Sequence, residues 1–597
     1  MKKLIFYSCL LLSSIFSVNA QTPNWQWAKS AGGTGYESST GVCTDASGNV
    51  FITGLFFSPT ITFGTTTLTN AGGMDIFIVK YDATGNVLWA KSAGGVYGER
   101  GQSVCTDASG NVFITGHFYS PTITVGTITL TNTNQTSDST SDIFIVKYDA
   151  SGNVLWAKSE GSGSNESGQS VCTDASGNVF ITGSFYSVNL YIGTTWLFLS
   201  EWDRYNDIFI VKYDTSGNVL WAKSAGGVGS DGGYAVCTDS TGNLFVTGIN
   251  SFADIFIVKY DTSGNVLWAK SEGGTGYDLG TGVCTDASGN VIITGLFSSP
   301  TIAFGTTMLT NTNNNTFDFF IVKYDTSGNV LWVKSAGGTG NDVSNGVCTN
   351  ASGNVFITGY FDSPTITFGT TTLTNINAAN DIFIVKYDAS GNVLWAKSAG
   401  GAGSDVSKGV CTDASGNVII TGYFDSPTIF FGFRTTTLIN ANEFSDIFIV
   451  KYDASGNVLW AKSAGGAGSD LSSGVCTNAS GNIFITGYFG NPNINFGTTT
   501  LTNAGASDIF IAKLGGITGI NDIKNSNIKI YPNPTNDIIN IEGLNKNENN
   551  TIQIFDVQGK LVITKIITEK GTIDLSELNK GVYVIKIGEL AQRIVKM

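Results

Sequence analysis

Histidine is almost absent from this sequence, since His117 is the only one in 597 residues. Most Ser–His and Cys–His catalytic arrangements need a histidine base, so a single histidine argues against that chemistry. Charged residues make up only 13% of the chain and the net charge is −14. Binding to nucleic acid phosphates or to an anionic membrane rewards an excess of Lys and Arg, which is missing here. These scarcities argue against an enzyme and against a nucleic acid partner.

Long apolar runs are also scarce, and the one candidate lies at the start of the chain. Lys2 and Lys3 precede an apolar run over residues 4–18, which ends at small residues. This pattern is typical of a secretory signal peptide, so residues 1–20 are predicted to be removed before Gln21. No later stretch approaches the eighteen apolar residues of a membrane span, so the mature chain is expected to have no transmembrane helix.

Paired cysteines with metal-ligand spacing are missing, because the sequence contains no CxxC. Export favours disulfides, but each cysteine of the mature chain occupies the same place in a repeated segment, GVCTD or a near variant. Equivalent strands of stacked sheets lie roughly 10 Å apart, whereas a disulfide needs Cα atoms within about 7 Å. We therefore predict unpaired, buried thiols at Cys43, Cys105, Cys172, Cys237, Cys284, Cys348, Cys411 and Cys476.

Glycine and internal repetition are what the sequence has in abundance, with 75 glycines and eight copies of one unit. A unit contains four strand candidates, here called A (GVCTD), B (NVFITG), C (DIFIVKYD) and D (NVLWAKSA). The A–B and C–D links read D-x-[ST]-G-N, in which Asp can bond its own backbone and Gly supplies a positive φ, as hairpins require. Strands B, C and D are almost continuously apolar, which predicts burial on both faces.

The chain ends decide whether the repeats form a ring. The mature chain begins with a lone strand D around Trp27, and the repeats end with a lone strand C at 508–516. Only a closed ring lets the first strand complete the last sheet and hide its edge, whereas an open solenoid would leave both partial units exposed. Residues 21–516 are therefore predicted to be an all-β, closed eight-bladed β-propeller with four-stranded blades.

The repeated units GVCTDASGNVFITG and DIFIVKYDASGNVLWAKSAGG resemble SBBP repeats, a β-propeller repeat family, and their strand order is similar to the NHL propeller layout. The resemblance covers Trp25 to about Gly516. It departs from the family in the number of blades, which is eight here instead of seven. The fourth unit is short, but it lacks only the insertion between strands B and C.

The composition changes after Gly516, where residues 517–526 are predicted to be a linker and residues 527–597 a small β-sandwich. The segment YPNP, the GK turn at 559–560 and LNKGVYVIKI resemble the type A sorting domain of the type IX secretion system. The YPNP motif is Tyr531, Pro532, Asn533 and Pro534.

This resemblance implies a Gram-negative cell, the type IX machinery as a partner, and passage across both inner and outer membranes. It also implies removal of the domain, after which the protein is released or stays anchored at the cell surface.

A carboxylate stands six residues before every cysteine of the repeats, inside a Gly-rich loop. It has two interpretations: it accepts N–H bonds from its own loop, or the ring of acids binds cations. No cofactor is expected, with calcium as the open alternative here and at the D-x-[ST]-G-N turns, although calcium needs six to eight oxygen ligands. The acids are Glu37, Glu99, Glu166, Asp231, Asp278, Asp342, Asp405 and Asp470.

The third B–C insertion, SVNLYIGTTWLFLSEWDRYND, differs from the SPTITFGTTTLTN type of the others and adds aromatic residues. Aromatic faces stack on sugars, and Arg bonds hydroxyls, so the insertion is a candidate glycan site. The alternative is that these aromatics pack only within their own hairpin. The candidate residues are Tyr191, Trp196, Trp202, Arg204 and Tyr205.

The sequence therefore predicts a non-catalytic binding or adhesion module, monomeric, for a glycan or a protein. A polysaccharide-acting enzyme using acids such as Glu201 and Asp203, and a passive surface scaffold, remain alternatives. Exposure of Trp196 and Trp202 favours binding, whereas burial favours a scaffold. The tryptophan of WAKS is expected in the core, and Lys80, Lys91 and their equivalents are expected at the outer rim of the blades.

Overall fold

The computed structural model describes residues 23–597 except 135–138, 200–204, 251, 312, 314–315, 376, 378, 433–435, 441, 491, 516–520, 523–527, 545–549, 557–560 and 588–589. The predicted signal peptide, residues 1–20, lies outside the described residues. The chain divides into two compact units, Met1–Gly516 and Ile517–Met597.

The first unit contains eight four-stranded antiparallel sheets, each with the strand order A–B–C–D. The A strands contact the A strands of the neighbouring sheets and form the inner ring. Strands A are Glu37–Thr44, Glu99–Thr106, Glu166–Thr173, Gly232–Thr238, Asp278–Thr285, Asp342–Thr349, Asp405–Thr412 and Asp470–Thr477. Strands B are Val50–Phe56, Val112–Phe118, Val179–Phe185, Leu244–Ile249, Val291–Phe297, Val355–Phe361, Val418–Phe424 and Ile483–Gly490.

The outer two strands of each blade follow the same order. Strands C are Asp75–Tyr81, Asp142–Tyr148, Asp207–Tyr213, Ile255–Tyr260, Asp318–Tyr324, Asp381–Tyr387, Asp446–Tyr452 and Ser507–Leu514. Strands D are Val87–Ala93, Val154–Glu160, Val219–Ala225, Val266–Glu272, Val330–Ala336, Val393–Ala399, Val458–Gly466 and, for blade 8, Trp25–Ala31. In the seventh blade, strand D also pairs with the insertion hairpin of blade 8.

Seven of the B–C insertions form a two-stranded hairpin in the described residues, and the short fourth insertion does not. The hairpins are Thr60–Phe63 with Thr66–Thr69, Thr122–Val125 with Ile128–Thr131, Asn189–Ile192 with Thr195–Phe198, Thr301–Phe304 with Thr307–Thr310, Thr365–Phe368 with Thr371–Thr374, Thr428–Phe431 with Thr436–Ile439, and Asn493–Phe496 with Thr499–Thr502.

The ring closes as the sequence predicts. The N-terminal strand pairs antiparallel with the last strand C, with Ala28 opposite Ala512, so the first strand completes blade 8. Blade 1 packs on blade 8 through a buried cluster that joins Ile52 to Phe484 and Ile511. The prediction of an eight-bladed β-propeller is thereby confirmed.

Each blade interface is mainly apolar, because strands B and C are buried over almost their whole length, as in blade 1. The tryptophan of WAKS lies in this core: Trp89 is buried and its Nε1 donates to the carbonyl oxygen of Ala150 in the C–D turn of the next blade at 3.2 Å. Trp27 and Trp268 are only partly buried. All eight cysteines of the propeller are unpaired.

The expected position of Lys80 at the outer rim is wrong. Its side chain is buried, its Nζ lies 3.3 Å from Asp45 Oδ2 in the A–B turn, and it donates to the carbonyl oxygen of Ala150 at 3.1 Å. Lys91, in strand D, is exposed. Strand C is internal to the sheet and covered by the next blade, so the charge of Lys80 is compensated within the core by the carboxylate of Asp45.

The second unit has two sheets. One contains, in order, Asn521–Asp522, Leu590–Lys596, Gly581–Ile587, Asn550–Asp556 and Leu561–Ile567, and the other Lys529–Tyr531, Ile538–Glu542 and Gly571–Asp574. Both sheets contribute to one buried cluster, to which Ile541 and Ile585 belong, so the predicted β-sandwich is confirmed. Residues 521–522 fall within the predicted linker and pair with Leu590–Lys596.

The YPNP segment holds the end of the chain in place. Asn533 donates from Nδ2 to the carbonyl oxygen of Arg593 at 2.7 Å and accepts the N–H of Val595 at 2.9 Å. Tyr531 donates its hydroxyl to Glu542 at 2.7 Å. The GK turn of the resemblance, residues 559–560, lies outside the described residues.

Candidate functional site

A surface groove recurs where strand D of one blade meets the hairpin and the C–D turn of the next. Between blades 8 and 1 it encloses about 620 Å³ beside Lys29, Thr62 and Tyr81. Between blades 2 and 3 it encloses about 540 Å³ beside the equivalent Lys158 and Tyr191. Both volumes are in the range of small-molecule sites. We call the second one the blade 2–3 groove; it is lined by Thr133, Lys158, Ser159, Glu160, Gly161, Tyr191, Gly193, Thr194, Gly217, Asn218 and Val219.

The hairpin beside the blade 2–3 groove carries an aromatic pair where another hairpin carries two threonines. Tyr191 lies directly opposite Trp196 across the strands, with ring centroids 4.8 Å apart. At the same positions in blade 1, Thr62 and Thr67 share a hydroxyl hydrogen bond of 3.0 Å. The hairpin therefore forms with small polar side chains, and its fold does not require the aromatic rings.

Both rings are open to solvent, with 43% of Tyr191 and 52% of Trp196 exposed. Phe198 on the same strand and Tyr205 after the hairpin are also exposed. The structure thus brings Tyr191 and Trp196 together into one aromatic surface, and adds Phe198, which the sequence reasoning missed. Trp202 and Arg204, and the acids Glu201 and Asp203, lie outside the described residues.

Glu160 is the second feature of the blade 2–3 groove that the sequence reasoning missed. It is 8% exposed, and its hydrogen bonds from described residues are long: Tyr213 donates its hydroxyl at 3.3 Å and Gly193 its N–H at 3.4 Å. Burial raises the pKa of this carboxyl to about 7. Six other blades have alanine at this position, and only Glu160 and Glu272 differ. In the sequence, this replacement of alanine by glutamate was the one sign of the site.

The eight acids that precede the cysteines are all buried. Glu99 is representative: it accepts the N–H of Gly95 in its own Gly-rich loop at 3.0 Å and the N–H of Ser120 at 3.1 Å. Glu37 does the same with Gly33 and Ser58. Similar bonds to loop N–H or serine hydroxyl groups involve Glu166, Asp231, Asp278, Asp342, Asp405 and Asp470. This geometry favours the loop-capping interpretation of these acids.

A second buried carboxylate, at the start of strand C, accompanies these acids at most interfaces. Burial raises the pKa of Asp318 to about 7, and the charge of Asp342 in the next blade raises it further. The same two causes raise the pKa of Asp470 to about 8, with Asp446 as the neighbouring charge. In the described residues, no group of three or more His, Cys, Asp or Glu side chains is placed to hold a metal ion.

The D-x-[ST]-G-N turns use their oxygens for local bonds. Asp45 accepts the N–H of Asn49 at 2.9 Å on one oxygen and its side-chain amide at 2.7 Å on the other. Gly48 takes the positive φ of 81° that the turn requires. The carboxylates of these turns thus act as hydrogen-bond acceptors within the hairpin.

One histidine–serine pair does exist, although the sequence reasoning argued against such arrangements. His117 Nδ1 lies 2.9 Å from Ser167 Oγ, in the neighbouring blade. Burial, and then the charge of Arg100, lower the pKa of His117 to about 4. A catalytic triad uses an acid to stabilise the imidazolium, whereas a neighbouring arginine opposes it, so this histidine is a poor general base.

The tail of the chain matches a known family. Residues 529–597 match the family described as the secretion system C-terminal sorting domain. The match indicates export through type IX secretion to the cell surface or the medium. The described residues contain no helical segment with the length and hydropathy of a membrane span.

Two known proteins are similar to this chain in sequence. An uncharacterized WD repeat-containing protein of Acanthamoeba polyphaga mimivirus is 27% identical over 532 residues, 79% of this chain and 36% of the relative. The regulatory protein FlaEY of Caulobacter vibrioides is 32% identical over 108 residues, 18% of this chain and 11% of that protein. The chain therefore spans about a third of the viral relative's length and about a tenth of the bacterial one's.

Two solved structures are similar at low sequence identity. Sqt1 from Chaetomium thermophilum is 8% identical with a TM-score of 0.42, covering 83% of this chain and 99% of that chain. A mutant puromycin hydrolase is 10% identical with a TM-score of 0.32, covering 76% and 58%. Its eight blades and its matched tail identify the chain as a repeat β-propeller protein that carries a C-terminal sorting domain of a secretion system.

Proposed function

We propose that this exported β-propeller is a non-catalytic carbohydrate-binding module that acts outside the cell, through the hairpin of its third blade. The observation that carries the proposal is the solvent-exposed pair of Tyr191 and Trp196. Exposure of aromatic rings to water is unfavourable, and stacking on the apolar face of a sugar ring lowers the free energy. The hairpin of blade 1 forms without them, so their exposure is unexplained by folding alone.

A passive scaffold is the simpler alternative, and the exposure of Trp196 argues against it. A buried Trp196 would have served only the packing of its hairpin. Catalysis on a polysaccharide is disfavoured because the one histidine has a lowered pKa and an arginine neighbour. Retaining and inverting glycosidases place two carboxylates on opposite sides of the scissile bond, whereas among the described residues Glu160 is the one carboxylate that lines the groove beside Tyr191.

The proposal includes the route and destination of the protein. The signal peptide over residues 1–20 directs the chain across the inner membrane, and the type IX machinery recognises the tail and carries the chain across the outer membrane. After removal of the tail, the propeller is anchored at the cell surface or released, as a monomer. Its similar loops, repeated around a ring, suit contacts that are weak individually and strengthened by many copies on a surface.

The test is a glycan array probed with the whole mature chain and with a Tyr191→Thr/Trp196→Thr variant. The variant installs the pair that blade 1 already uses, so it should fold normally and lose binding. Met308→Thr is the matched control, because Met308 holds the position of Trp196 in blade 5 and is 66% exposed. Repeating the array with calcium and with a chelator tests the acidic ring. Absence of any glycan ligand, or equal binding by the variant, contradicts the proposal.

A further inference from the structure

The blade 2–3 groove differs from its copies in charge as well as in aromatic character. A lysine lines the grooves at equivalent positions, as Lys29, Lys158 and Lys334. In the grooves of Lys29 and Lys334, alanine stands two residues later, as Ala31 and Ala336. In the blade 2–3 groove the residue is Glu160, whose carboxylate offsets the charge of Lys158.

Glu160 has hydrogen-bonding capacity that the described residues leave unused. Above about pH 7 the carboxyl of Glu160 is mainly ionised, and an ionised carboxylate offers about four acceptor positions. Glu160 receives two bonds of 3.3 and 3.4 Å, longer than the usual ~2.9 Å. A buried polar group with poor partners is stabilised by any ligand that donates good hydrogen bonds to it. Sugar hydroxyls are such donors.

The aromatic surface and the carboxylate are joined by one residue. Tyr191 packs on Trp196 on its exposed side and lines the same groove as Glu160. Its backbone also bridges to Gly161, the residue after Glu160. A sugar stacked on the aromatic pair would therefore have the carboxylate within the same groove.

Resting on the carbohydrate-binding function proposed above, we infer that the blade 2–3 groove selects neutral sugars over acidic ones, with Glu160 accepting hydrogen bonds from sugar hydroxyls. A neutral sugar gains these bonds and leaves the Lys158–Glu160 charges balanced. A uronic acid brings its own carboxylate towards Glu160, and like charges in a partly buried site repel strongly. Selectivity thus comes from two effects of Glu160: it accepts hydrogen bonds from neutral sugars and repels the carboxylate of acidic ones.

The test measures affinity by calorimetry for neutral hexasaccharides of glucose, mannose or xylose and for hexagalacturonate. Glu160→Ala, which installs the residue of six other blades, should weaken neutral binding by about tenfold or more, the loss expected for hydrogen bonds to a charged group. It should also leave Lys158 unopposed, so that the ratio of neutral to acidic affinity falls. Glu160→Gln keeps an acceptor oxygen and should lose less neutral affinity than the alanine variant. The control Glu272→Ala removes the equivalent residue of blade 4, beside a hairpin that carries Ala303 and Met308 in place of the aromatic pair, and should change neither value.

The outcomes separate this inference from the function on which it rests. If the unaltered protein binds no glycan, the carbohydrate-binding function fails and this inference fails with it. If the Tyr191→Thr/Trp196→Thr variant loses binding while Glu160→Ala keeps both its affinity and its preference for neutral sugars, the function stands and the inference is overturned. A stronger affinity of the unaltered protein for hexagalacturonate than for every neutral sugar also overturns it.

Discussion

The hydroxyl of Thr44 donates to the carbonyl oxygen of Thr477 across 3.2 Å, although 433 residues separate them in the chain. The last threonine of every strand A does the same to its neighbour, over 2.9 to 3.2 Å, until the circle returns to Thr44. The other donors are Thr106, Thr173, Thr238, Thr285, Thr349, Thr412 and Thr477. Such a circle can form only when all eight blades are in place.

The ring should depend on its first strand. A mature chain that starts at Gly32 lacks Trp25–Ala31 and exposes the edge of Ser507–Leu514. We expect the free energy of unfolding to fall by an amount on the order of 5 kcal/mol, comparable to the stability of an ordinary domain. Urea unfolding followed by tryptophan fluorescence measures it. A chain that starts at Trp25 is the control; equal stability of the two chains would mean that closure contributes little.

One tryptophan of the repeat should be less costly to replace than the others. Trp395 Nε1 donates to the carbonyl oxygen of Ala454 at 3.2 Å, whereas no described residue accepts a hydrogen bond from the buried Trp460 Nε1. The reason is that blade 8, which faces Trp460, is made from the two chain ends and has no C–D turn to offer a carbonyl. Trp395→Phe should therefore destabilise the propeller by about 1 kcal/mol more than Trp460→Phe, the usual net value of one hydrogen bond. Equal losses in chemical unfolding would show that the turn carbonyl contributes no stability.

Stability should decrease as the pH rises from 5 to 8.5. Burial raises the pKa of Glu99 and Asp405 to about 7 and that of Asp470 to about 8. The unfolded chain has ordinary values near 4, so the folded chain binds more protons between these limits. The stabilisation is complete below about pH 4 and is lost as the pH rises through 7 to 8. Calorimetry across this range should show a falling unfolding temperature.

Two variants separate the buried acids from other titrating groups. Asp470→Asn removes the group with the highest of these values and should make the unfolding temperature depend less on pH. Asp82→Asn is the control: burial acts to raise the pKa of Asp82, but hydrogen bonds from Thr84 and Asn86 bring it down to about 2. Its replacement should leave the slope between pH 5 and 8.5 unchanged. If Asp470→Asn leaves the pH dependence of the unfolding temperature unchanged, that dependence does not come from Asp470 as predicted.

The sorting domain should require Asn533 for its fold. Its side chain holds the final strand through Arg593 and Val595, so Asn533→Ala leaves two backbone groups without these partners. In a cell with type IX secretion, we expect less protein in the medium or on the surface and more in the periplasm. Immunoblots of the fractions measure this. Glu577→Ala, at an exposed position, is the control, and undiminished export of the Asn533 variant would refute the prediction.

The sequence alone determined the repeat, the number of blades and the order of strands. The reason is local: the turn Asp82 to Asn86 forms from its own side-chain bonds, and a continuously apolar strand such as Val50–Phe56 must be buried on both faces. Closure also followed from the sequence, because a lone strand at each end leaves two edges that only each other can cover. The tail was identified differently, by the resemblance of YPNP and the segments after it to a known sorting domain.

The tertiary structure decided which polar residues are buried and what surrounds them. Lys80 and Lys91 look alike in the repeat, but Lys80 faces the next blade and Lys91 faces water. In the sequence, Glu160 is a glutamate where most repeats have alanine. It lines a groove only because strand D of blade 2 meets the hairpin of blade 3 in the folded protein. These environments are made by residues 30 to 70 positions away, so no local pattern contains them.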